Sequence, residues 1–255
     1  MKMILAVMYR EYRIRSTSLN WMFYDLVMPL IYLLVFGIGF NSAFPDGVVV
    51  DGMRVSYNAF FLAGVLSMAS FGIAINTAYG FFVDRENGIL YEFLTYPMTR
   101  SEFLVGKILF NCTLALVQAV TTIAVGAVVL GISIRWELLM LVGVGQVCGT
   151  AGWFFFLMTF AIRIRRNDMF NTFLNLVYFV LMFSSSMFYP AETLPRWLQA
   201  VSLGNPLTWH TDFLRYATIG AGSVEGLALK SMAFVCFLAA FFVIAVRTIR
   251  NPLRA

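Results

Sequence analysis

The stretch RENGILYEFLTYPMTRSEFLVGK, residues 85–107, interrupts a chain that is otherwise dominated by long apolar runs. The runs around it, residues 57–83 and 103–130, each exceed the roughly 20 apolar residues that a membrane-spanning helix needs. A tight turn would be enough to reconnect two such helices. The charges and the proline between them therefore indicate a structured connection with a purpose of its own.

Composition places the whole chain in a membrane. Of its 255 residues, 60% are hydrophobic and 12% are charged, whereas soluble domains carry roughly 25% charged residues. The runs are continuous and lack the alternation of a membrane β-barrel, so the predicted fold is all-α, a polytopic protein with six transmembrane helices. These six predicted spans cover residues 22–40, 57–83, 103–130, 138–162, 170–189 and 227–246. A single transmembrane domain, 1–255, accounts for the chain.

The distribution of Lys and Arg predicts the orientation of the spans. Thirteen of these residues fall in the N-terminal segment, the C-terminal segment and the loops of the same side, and five fall on the other side. Cytoplasmic loops are enriched in Lys and Arg, so both termini are expected in the cytoplasm and the protein in the plasma or inner membrane. The net charge of +5 is then a topology signal and not the mark of a nucleic-acid partner.

The N-terminal residues, 1–20, are predicted to contain an interfacial helix lying in the headgroup plane. One side of the helix is apolar and aromatic and the other carries Arg10 and Arg13, the arrangement of a helix at a membrane surface. Glu11 and Arg15 are spaced as an i, i+4 ion pair. A basic tail that only sets topology is the alternative. The apolar side is formed by Ile4, Leu5, Met8, Tyr9 and Tyr12.

The interrupting stretch itself is predicted to be a short helix, a break and a capped restart. An apolar stripe recurs at helical spacing and Pro97 ends it. Thr99 and Glu102 form a capping box, with Met98 and Phe103 as a hydrophobic staple across it. Such a connection would be rigid. The stripe consists of Ile89, Leu90, Phe93 and Leu94.

The last segment on the opposite side of the membrane, residues 190–218, shows two short helix signals. Pro195 begins the first and Gly204 ends it, while Asn205 caps the second with Pro206 at its first position. Neither is long enough to span, so re-entrant or interfacial helices are expected there. In the first loop on that side, residues 41–56, the DG pairs favour a small hairpin.

Few residues suggest chemistry within this chain. His210 is the single histidine and reads as a polar surface group, and no phosphate loop, zinc-protease or serine-hydrolase motif occurs. No catalytic residue, metal ligand or bound cofactor is therefore predicted. Asp25 is the notable acid within a span, and a structural ion pair with a nearby Arg is the favoured interpretation.

Together these segments resemble the permeases of the type-2 ABC exporter family. The resemblance covers nearly the whole chain, and its most specific parts are the patterns R-E-x-G-x-L-x-x-x-L-x-x-P-x-x-R-x-x-x-L-x-G-K after span two and P-x-x-x-L-P-x-W-L…N-P-L-T…D-x-x-R after span five. It implies a half-transporter that pairs with a second permease copy, a homodimer being expected, and with two ABC ATPase subunits. ATP and Mg would be bound by those ATPases, and membrane lipids would surround the spans.

The resemblance also assigns roles to residues. The helix in region 84–101 would be the cytoplasmic coupling helix seated on the ATPase, the N-terminal helix would be a second contact, and the external helices would form a gate; no substrate residues carry over. The coupling positions are Arg85, Glu86, Gly88, Leu90, Glu92, Leu94 and Pro97. The N-terminal interface positions are Tyr9, Arg10 and Arg13, and the gate positions are Pro195, Trp197, Asn205, Pro206, Asp212 and Arg215.

The functional prediction is the permease subunit of an exporter of amphiphilic drugs, lipids or glycolipids, with ATP hydrolysis in a separate subunit. Three alternatives stay open. One is a polysaccharide exporter of the same family, one is a channel-forming or structural protein, and one is a membrane-embedded lipid-modifying enzyme that uses Glu192, His210 and Asp212.

Overall fold

The computed structural model describes residues 2–17 and 19–250, without the side chains of Leu19, Trp21, Leu94 and Arg250. Over these residues the chain is almost entirely helical. Helices α1 to α5 are Lys2–Thr17, Leu19–Ala43, Tyr57–Glu86, Ile89–Thr95 and Arg100–Val129. Helices α6 to α10 are Leu139–Ala161, Asn167–Phe183, Arg196–Gly204, Pro206–Ile219 and Val224–Arg250. Short 3-10 turns lie at Trp136–Leu138 and Ala191–Thr193.

Within the described residues, five helical segments are long and apolar enough to cross a membrane. They are Met22–Ala43, Tyr57–Glu86, Arg100–Val129, Trp136–Ala161 and Val224–Ile249. The predicted run 170–189 is not continuous, because α7 has 17 residues and ends at Phe183, where the chain turns at Ser184. That length is at the lower limit for a span, so the sixth span stays a prediction.

Helix α3 is the axis around which the other helices pack. It contacts α2, α5, α6 and α9 and is buried along nearly its whole length. Aromatic rings fill the space between α3, α6 and α10, with the Trp153 ring centroid 4.4 Å from that of Phe71 and 5.4 Å from that of Phe237. The polar residues of α3 join neighbouring helices: Ser67 bonds to Thr211 and Ser70 to Gln146.

The two ends of the bundle differ in the elements they carry. Helices α1 and α4 lie with the end of α3 and the start of α5, and we call this the α4 end. At the other, the α8 end, the predicted hairpin is confirmed: β1 (Val48–Val50) pairs antiparallel with β2 (Met53–Val55). Asp51 at its turn has φ 46°, a conformation that a carboxamide or carboxylate side chain tolerates better than most. Its carboxylate accepts from the Ser223 backbone N–H at 2.9 Å and fixes the hairpin to the start of α10.

Helix α9 is held in the bundle by a close approach to α6. The His210 Nε2–H donates to the Gly145 carbonyl at 3.0 Å, and its ring stacks on Phe234. A Cβ atom at position 149 would overlap the His210 ring, so Gly149 is what admits it. The expectation that His210 is a surface group is therefore wrong: only 2% of the residue is exposed. Its position on a helix with mixed polarity concealed that burial.

We expect Gly149→Ala to destabilise the protein, because the added methyl group pushes His210 and α9 away from α6. Overpacking of this kind costs about 1–3 kcal/mol, against a gain of up to about 1 kcal/mol from the helix preference of Ala over Gly. The matched control is Gly143→Ala on the same helix, where the nearest atom, Leu116 Cδ2, would be 3.7 Å from the new Cβ. Thermal unfolding in detergent should show a lower Tm for Gly149→Ala alone, and equal Tm values would contradict the packing described.

Candidate functional site

Helix α4 lies on the surface of the α4 end with one face packed inward. Gly88 precedes it in the left-handed conformation, with φ 76°, which a glycine adopts without strain. Leu90 is buried, while Tyr91, Glu92 and Pro97 are exposed. The predicted apolar stripe thus faces the protein, although the side chain of Leu94 lies outside the described part. The outer face of α4 is free to contact another protein.

The restart after α4 is held by the predicted capping box, which is confirmed. The Thr99 backbone N–H donates to Glu102 Oε2 at 2.8 Å, and the Glu102 N–H donates to Thr99 Oγ1 at 3.2 Å. Phe103 in the next turn is buried, with its ring centroid 5.2 Å from that of Phe93 on α4. These contacts fix the angle between α4 and α5. The staple between Met98 and Phe103 stays a prediction.

Arg85, predicted as a coupling residue, is turned into the protein. Its guanidinium donates to the carbonyl oxygens of Ala161, Ile162 and Ile164 at 2.5, 2.7 and 2.7 Å. These carbonyls belong to the end of α6, where the last backbone acceptors have no partner within the helix. Glu86, also predicted, is half-exposed and pairs with Arg85. Arg85 therefore joins the end of α3 to the end of α6.

Four charged side chains form a buried ion cluster between α1, α3 and α5: Arg10, Glu11, Asp84 and Lys107. Lys107 Nζ donates to Glu11 Oε1 at 2.9 Å and to Asp84 Oδ2 at 2.8 Å. Arg10 donates to both oxygens of Asp84, at 2.5 and 3.1 Å, and to Glu11 Oε1 at 3.0 Å. Removal of one partner from such a buried arrangement costs about 3–5 kcal/mol, because it leaves an uncompensated charge. The cluster therefore fixes α1 to the two longest helices.

Helix α1 packs against the bundle by a face other than its predicted apolar side. Val7, Glu11 and Arg15 are buried. Helix α1 lies so close to α5 that a Cβ atom added at Gly106 would be 2.8 Å from the Cβ atom of Val7. The predicted Glu11–Arg15 pair is wrong, because tertiary partners replace it. Arg15 instead donates to Asp25 Oδ2 at 3.1 Å, which confirms the structural ion pair predicted for Asp25.

The three predicted N-terminal interface residues are placed differently from one another. Tyr9 and Arg13 are exposed, so they are available to lipid or protein. Arg10 is committed to the ion cluster, and its guanidinium carbon lies 5.3 Å from the centroid of the Phe93 ring on α4. This contact makes α1 and α4 one surface, with a groove of about 500 Å³ between them. The groove is lined by Met3, Ala6, Arg10, Ile89, Glu92, Phe93, Tyr96 and Met98.

At the α8 end, Asp212 and Arg215 form a second charged group with Lys230 of α10. Asp212 accepts from Arg215 Nη1 at 2.5 Å and from Lys230 Nζ at 2.6 Å. Arg215 is buried and also donates to the Ser186 carbonyl at 2.8 Å. Its guanidinium lies 4.1 Å from the centroid of Phe60 on α3. The group thus joins α9, α10 and the end of α7 to the axial helix.

The other predicted gate residues divide into a buried cap and an exposed surface. Asn205 caps α9 as predicted, accepting from the Leu207 N–H at 2.8 Å, and donates to the Leu181 carbonyl at 2.7 Å. Pro206 occupies the first position of α9 and is half-buried. Pro195 and Trp197 at the start of α8 are exposed. Helix α8 therefore presents an aromatic surface, while α9 is anchored within the bundle.

Of the three residues of the enzyme alternative, Glu192 and Asp212 line one cavity at the α8 end, and His210 lies outside it. Glu192 accepts from the Asp51 backbone N–H at 3.1 Å, Asp212 is engaged by Arg215 and Lys230, and His210 points to α6. Burial lowers the pKa of His210 to about 4, against a weaker opposing effect of its hydrogen bond to Gly145. The partners of this buried imidazole within residues 2–17 and 19–250 are the Gly145 carbonyl and the Phe234 ring, which are the contacts of a packing residue.

Several residues of this site were missed from the sequence. Asp84, Gly106 and Lys107 lie inside or beside the quoted stretch. From sequence alone, Lys107 counts only as one of the thirteen basic residues predicted on the cytoplasmic side, and Asp84 and Gly106 have no predicted role. A signal was present: a Gly-Lys pair one turn inside an apolar run places a cation where it needs a buried carboxylate.

We expect Arg85→Ala to lower stability, because three carbonyl groups at the end of α6 lose a charged donor. Hydrogen bonds to charged groups contribute about 1.5–3 kcal/mol each. The control is Arg166→Ala, since Arg166 forms an exposed pair with Asp168 of a kind worth about 0–1 kcal/mol. Thermal unfolding in detergent should separate the two variants, and a Tm for Arg85→Ala no lower than the control would contradict the assignment.

Stability is expected to fall below pH 6.5 because of His210. The unfolded imidazole has an ordinary pKa of about 6.5, whereas the folded one has a pKa of about 4. Between these values the unfolded state binds more protons, so acid favours unfolding there. The Tm difference between pH 7 and pH 5 should shrink in His210→Asn, and a difference as large as that of the unmodified protein would show that His210 is not responsible.

Comparison with known proteins agrees with this arrangement. Residues 3–219 match the family described as ABC-2 type transporter. The daunorubicin resistance ABC transporter permease protein DrrB1 of Streptomyces coeruleorubidus is 26% identical over 234 residues, which are 89% of this chain and 78% of that protein. The ycf38 protein of Pyropia yezoensis, which carries the name of a transport permease, is 25% identical over 192 residues. These are 75% of this chain, and this chain spans 65% of the ycf38 protein. By the family match across most of its length, the chain belongs to the ABC-2 type transporter family.

Proposed function

We propose that the chain is the transmembrane permease subunit of an ATP-driven exporter, with both termini and the α4 end in the cytoplasm. The observation that carries the proposal is α4, a short helix held rigidly at its two ends with an exposed outer face. Family membership and the candidate spans support it. Helix α7 is proposed as the sixth span, α8 and α9 as the re-entrant external helices, and the plasma or inner membrane as the location.

The partner at the α4 end is proposed to be an ABC ATPase that binds ATP and Mg. Glu92 lines the groove between α1 and α4, and Glu86, Tyr91 and Pro97 are exposed at nearby positions of the chain. Aromatic rings and methionine around a groove suit a protein partner, because these residues are enriched at protein–protein interfaces. Two ATPase copies and two permease copies complete the proposed exporter.

Coupling would pass through the charged contacts of the α4 end. A nucleotide-dependent motion of the ATPase shifts the permease only if the ATPase binds its two states with different affinity. Because Arg85 joins α3 to α6 and Asp84 joins α3 to α1 and α5, a displacement of α4 is delivered to these four helices together. Arg85 and Arg10 are therefore proposed to transmit the motion, and Glu92 to make the contact.

At the α8 end, the group of Asp212, Arg215 and Lys230 is proposed to hold the outer exit closed. It links α9 and α10 to α3, so movement of α3 would act on the exit directly. The proposed substrate class is an amphiphile, and the daunorubicin resistance named for DrrB1 supports a drug-like molecule. A polysaccharide substrate is the second candidate within the family. Because His210 packs against α6, away from the cavity that Glu192 and Asp212 line, the geometry does not favour the enzyme alternative.

We expect Glu92→Lys to leave insertion and folding intact but to abolish stimulation of the partner ATPase, because the reversed charge faces the docking protein. The control is Glu225→Lys, the same change at an exposed position in the first turn of α10. Both variants are reconstituted with the ATPase, and ATP turnover is measured with and without the permease. Glu225→Lys should stimulate ATP turnover like the unmodified permease, and undiminished stimulation by Glu92→Lys would contradict the docking surface.

A further inference from the structure

A cavity of about 380 Å³ lies beside the ion cluster, between α1, α3 and α5. It is separate from the groove that faces the proposed ATPase, and the transport mechanism above makes no use of it. The volume falls within the range of about 300–1,000 Å³ typical of small-molecule sites. Its lining residues are Glu11, Ile14, Arg15, Asn76, Thr77, Tyr79, Gly80, Val83, Asp84 and Lys107.

The charged wall of the cavity has hydrogen-bonding capacity left over. Glu11 accepts from Arg10 and Lys107 at the same oxygen, Oε1, so within the described residues Oε2 is available. Lys107 uses two of its three N–H donors, on Glu11 and Asp84. Arg15 uses one nitrogen on Asp25 and one on Asn111, out of five N–H donors. The wall therefore offers an anionic acceptor and cationic donors side by side.

The charges of this wall sum to zero. Glu11 and Asp84 balance Arg15 and Lys107, and the neighbouring pair of Arg10 and Asp25 adds no net charge. A ligand with net charge would bring an unbalanced charge to a partly dehydrated site, which is unfavourable. A ligand with one positive and one negative group would meet a complementary partner for each. The wall thus selects a zwitterion over an anion or a cation.

The position of the cavity indicates a lipid. Helix α3 has 30 residues, or about 45 Å at 1.5 Å per residue, so it crosses the roughly 30 Å hydrocarbon core and reaches into a headgroup layer. Gly80 and Asp84 lie in its last two turns. Besides the charged groups and the polar Asn76 and Thr77, the lining has an apolar and aromatic part formed by Ile14, Tyr79 and Val83. A polar floor beside an apolar wall at headgroup depth fits a molecule with a charged head and acyl chains.

We propose that this cavity binds the headgroup of a zwitterionic phospholipid of the phosphatidylethanolamine type. The phosphate binds the free N–H groups of Lys107 and Arg15, and the ammonium binds Glu11 Oε2. This proposal depends on the placement of the helices in a membrane. It rests on the proposed function only in the choice of the leaflet that supplies the lipid. Its occupant links α1 to α3 and α5 and adds to the ion cluster.

Gly80 allows the cavity to be filled without disturbing its walls. A Cβ atom there would have only Lys107 Nζ nearby, at 3.9 Å, so the side chain of Gly80→Leu extends into the open volume. Gly72, on the same helix, also has open space, with no atom within 4 Å of a Cβ. Gly72→Leu is therefore the matched control for a leucine added to α3.

The test uses the purified full-length protein without an ATPase. Its lipid-binding result can therefore be interpreted even if the proposed transport function is wrong. Delipidated protein in detergent is titrated with phosphatidylethanolamine or phosphatidylglycerol and examined by native mass spectrometry, with soluble phosphoethanolamine as a competitor. One phosphatidylethanolamine per chain should be retained, at least tenfold more tightly than phosphatidylglycerol. Gly80→Leu should lose this binding and Gly72→Leu should keep it. Binding of millimolar phosphoethanolamine without retention of phosphatidylethanolamine would show that the free headgroup, and not a lipid, is the ligand.

Glu11→Gln provides a second test that does not depend on filling the cavity. The amide oxygen can still accept from Arg10 and Lys107, but the wall gains a net charge of +1 and the ammonium loses its partner. Selectivity should shift from phosphatidylethanolamine toward phosphatidylglycerol. Unchanged selectivity in Glu11→Gln, or equal retention of both lipids by the unmodified protein, would overturn the proposal, as would full binding by a folded Gly80→Leu.

Discussion

The carboxylate of Asp84 is the contact on which the α4 end of this protein depends. It accepts from Arg10 of α1 and from Lys107 of α5 while standing near the end of α3, so three helices meet at one buried group. Removal of a charge from water carries a desolvation cost that an oppositely charged partner must offset. In this cluster each carboxylate is paired with both cations, so every member offsets the cost for the others. This requirement explains why a helix with exposed Leu5, Tyr9 and Tyr12 is fixed against the bundle and not free on the membrane surface.

Helix α3 connects the α4 end to the α8 end and is attached to other helices at both of its own ends. Asp84 and Arg85 tie its last turn to α1, α5 and α6. At its first turns, the Tyr57 hydroxyl donates to the Phe188 carbonyl at 3.0 Å and Phe60 lies under the Arg215 guanidinium. A rigid helix with such attachments at both ends is a physical route by which a displacement at α4 reaches α9. This is the structural basis of the proposed export mechanism.

Local signals in the sequence predicted local structure well. Thr99 and Glu102 specify a cap by their spacing, Asn205 and Pro206 specify a helix start, and the DG pair specifies a hairpin, because each depends on residues that are neighbours in the chain. The failures involve partners far apart in sequence. His210 was predicted as a surface group although Gly149 makes room for it, and the Glu11–Arg15 pair gave way to Lys107 and Asp25. The bonds of Arg85 to the carbonyls at the end of α6 likewise had no signal close to Arg85 in the chain. The break of the fifth run at Ser184 was concealed because serines are common within membrane spans and the apolar Met187 and Phe188 follow.

In the proposed exporter, α1, α4 and the end of α3 move as one body during turnover. The most direct measurement is the distance between spin labels on α1 and α4, placed at the exposed residues Tyr12 and Thr95, in the complex with the proposed ATPase partner. Pulsed electron paramagnetic resonance with and without a trapped ATP analogue should give the same narrow distance distribution in both states. A shift or broadening between the states would show that α1 and α4 move independently and would contradict the account.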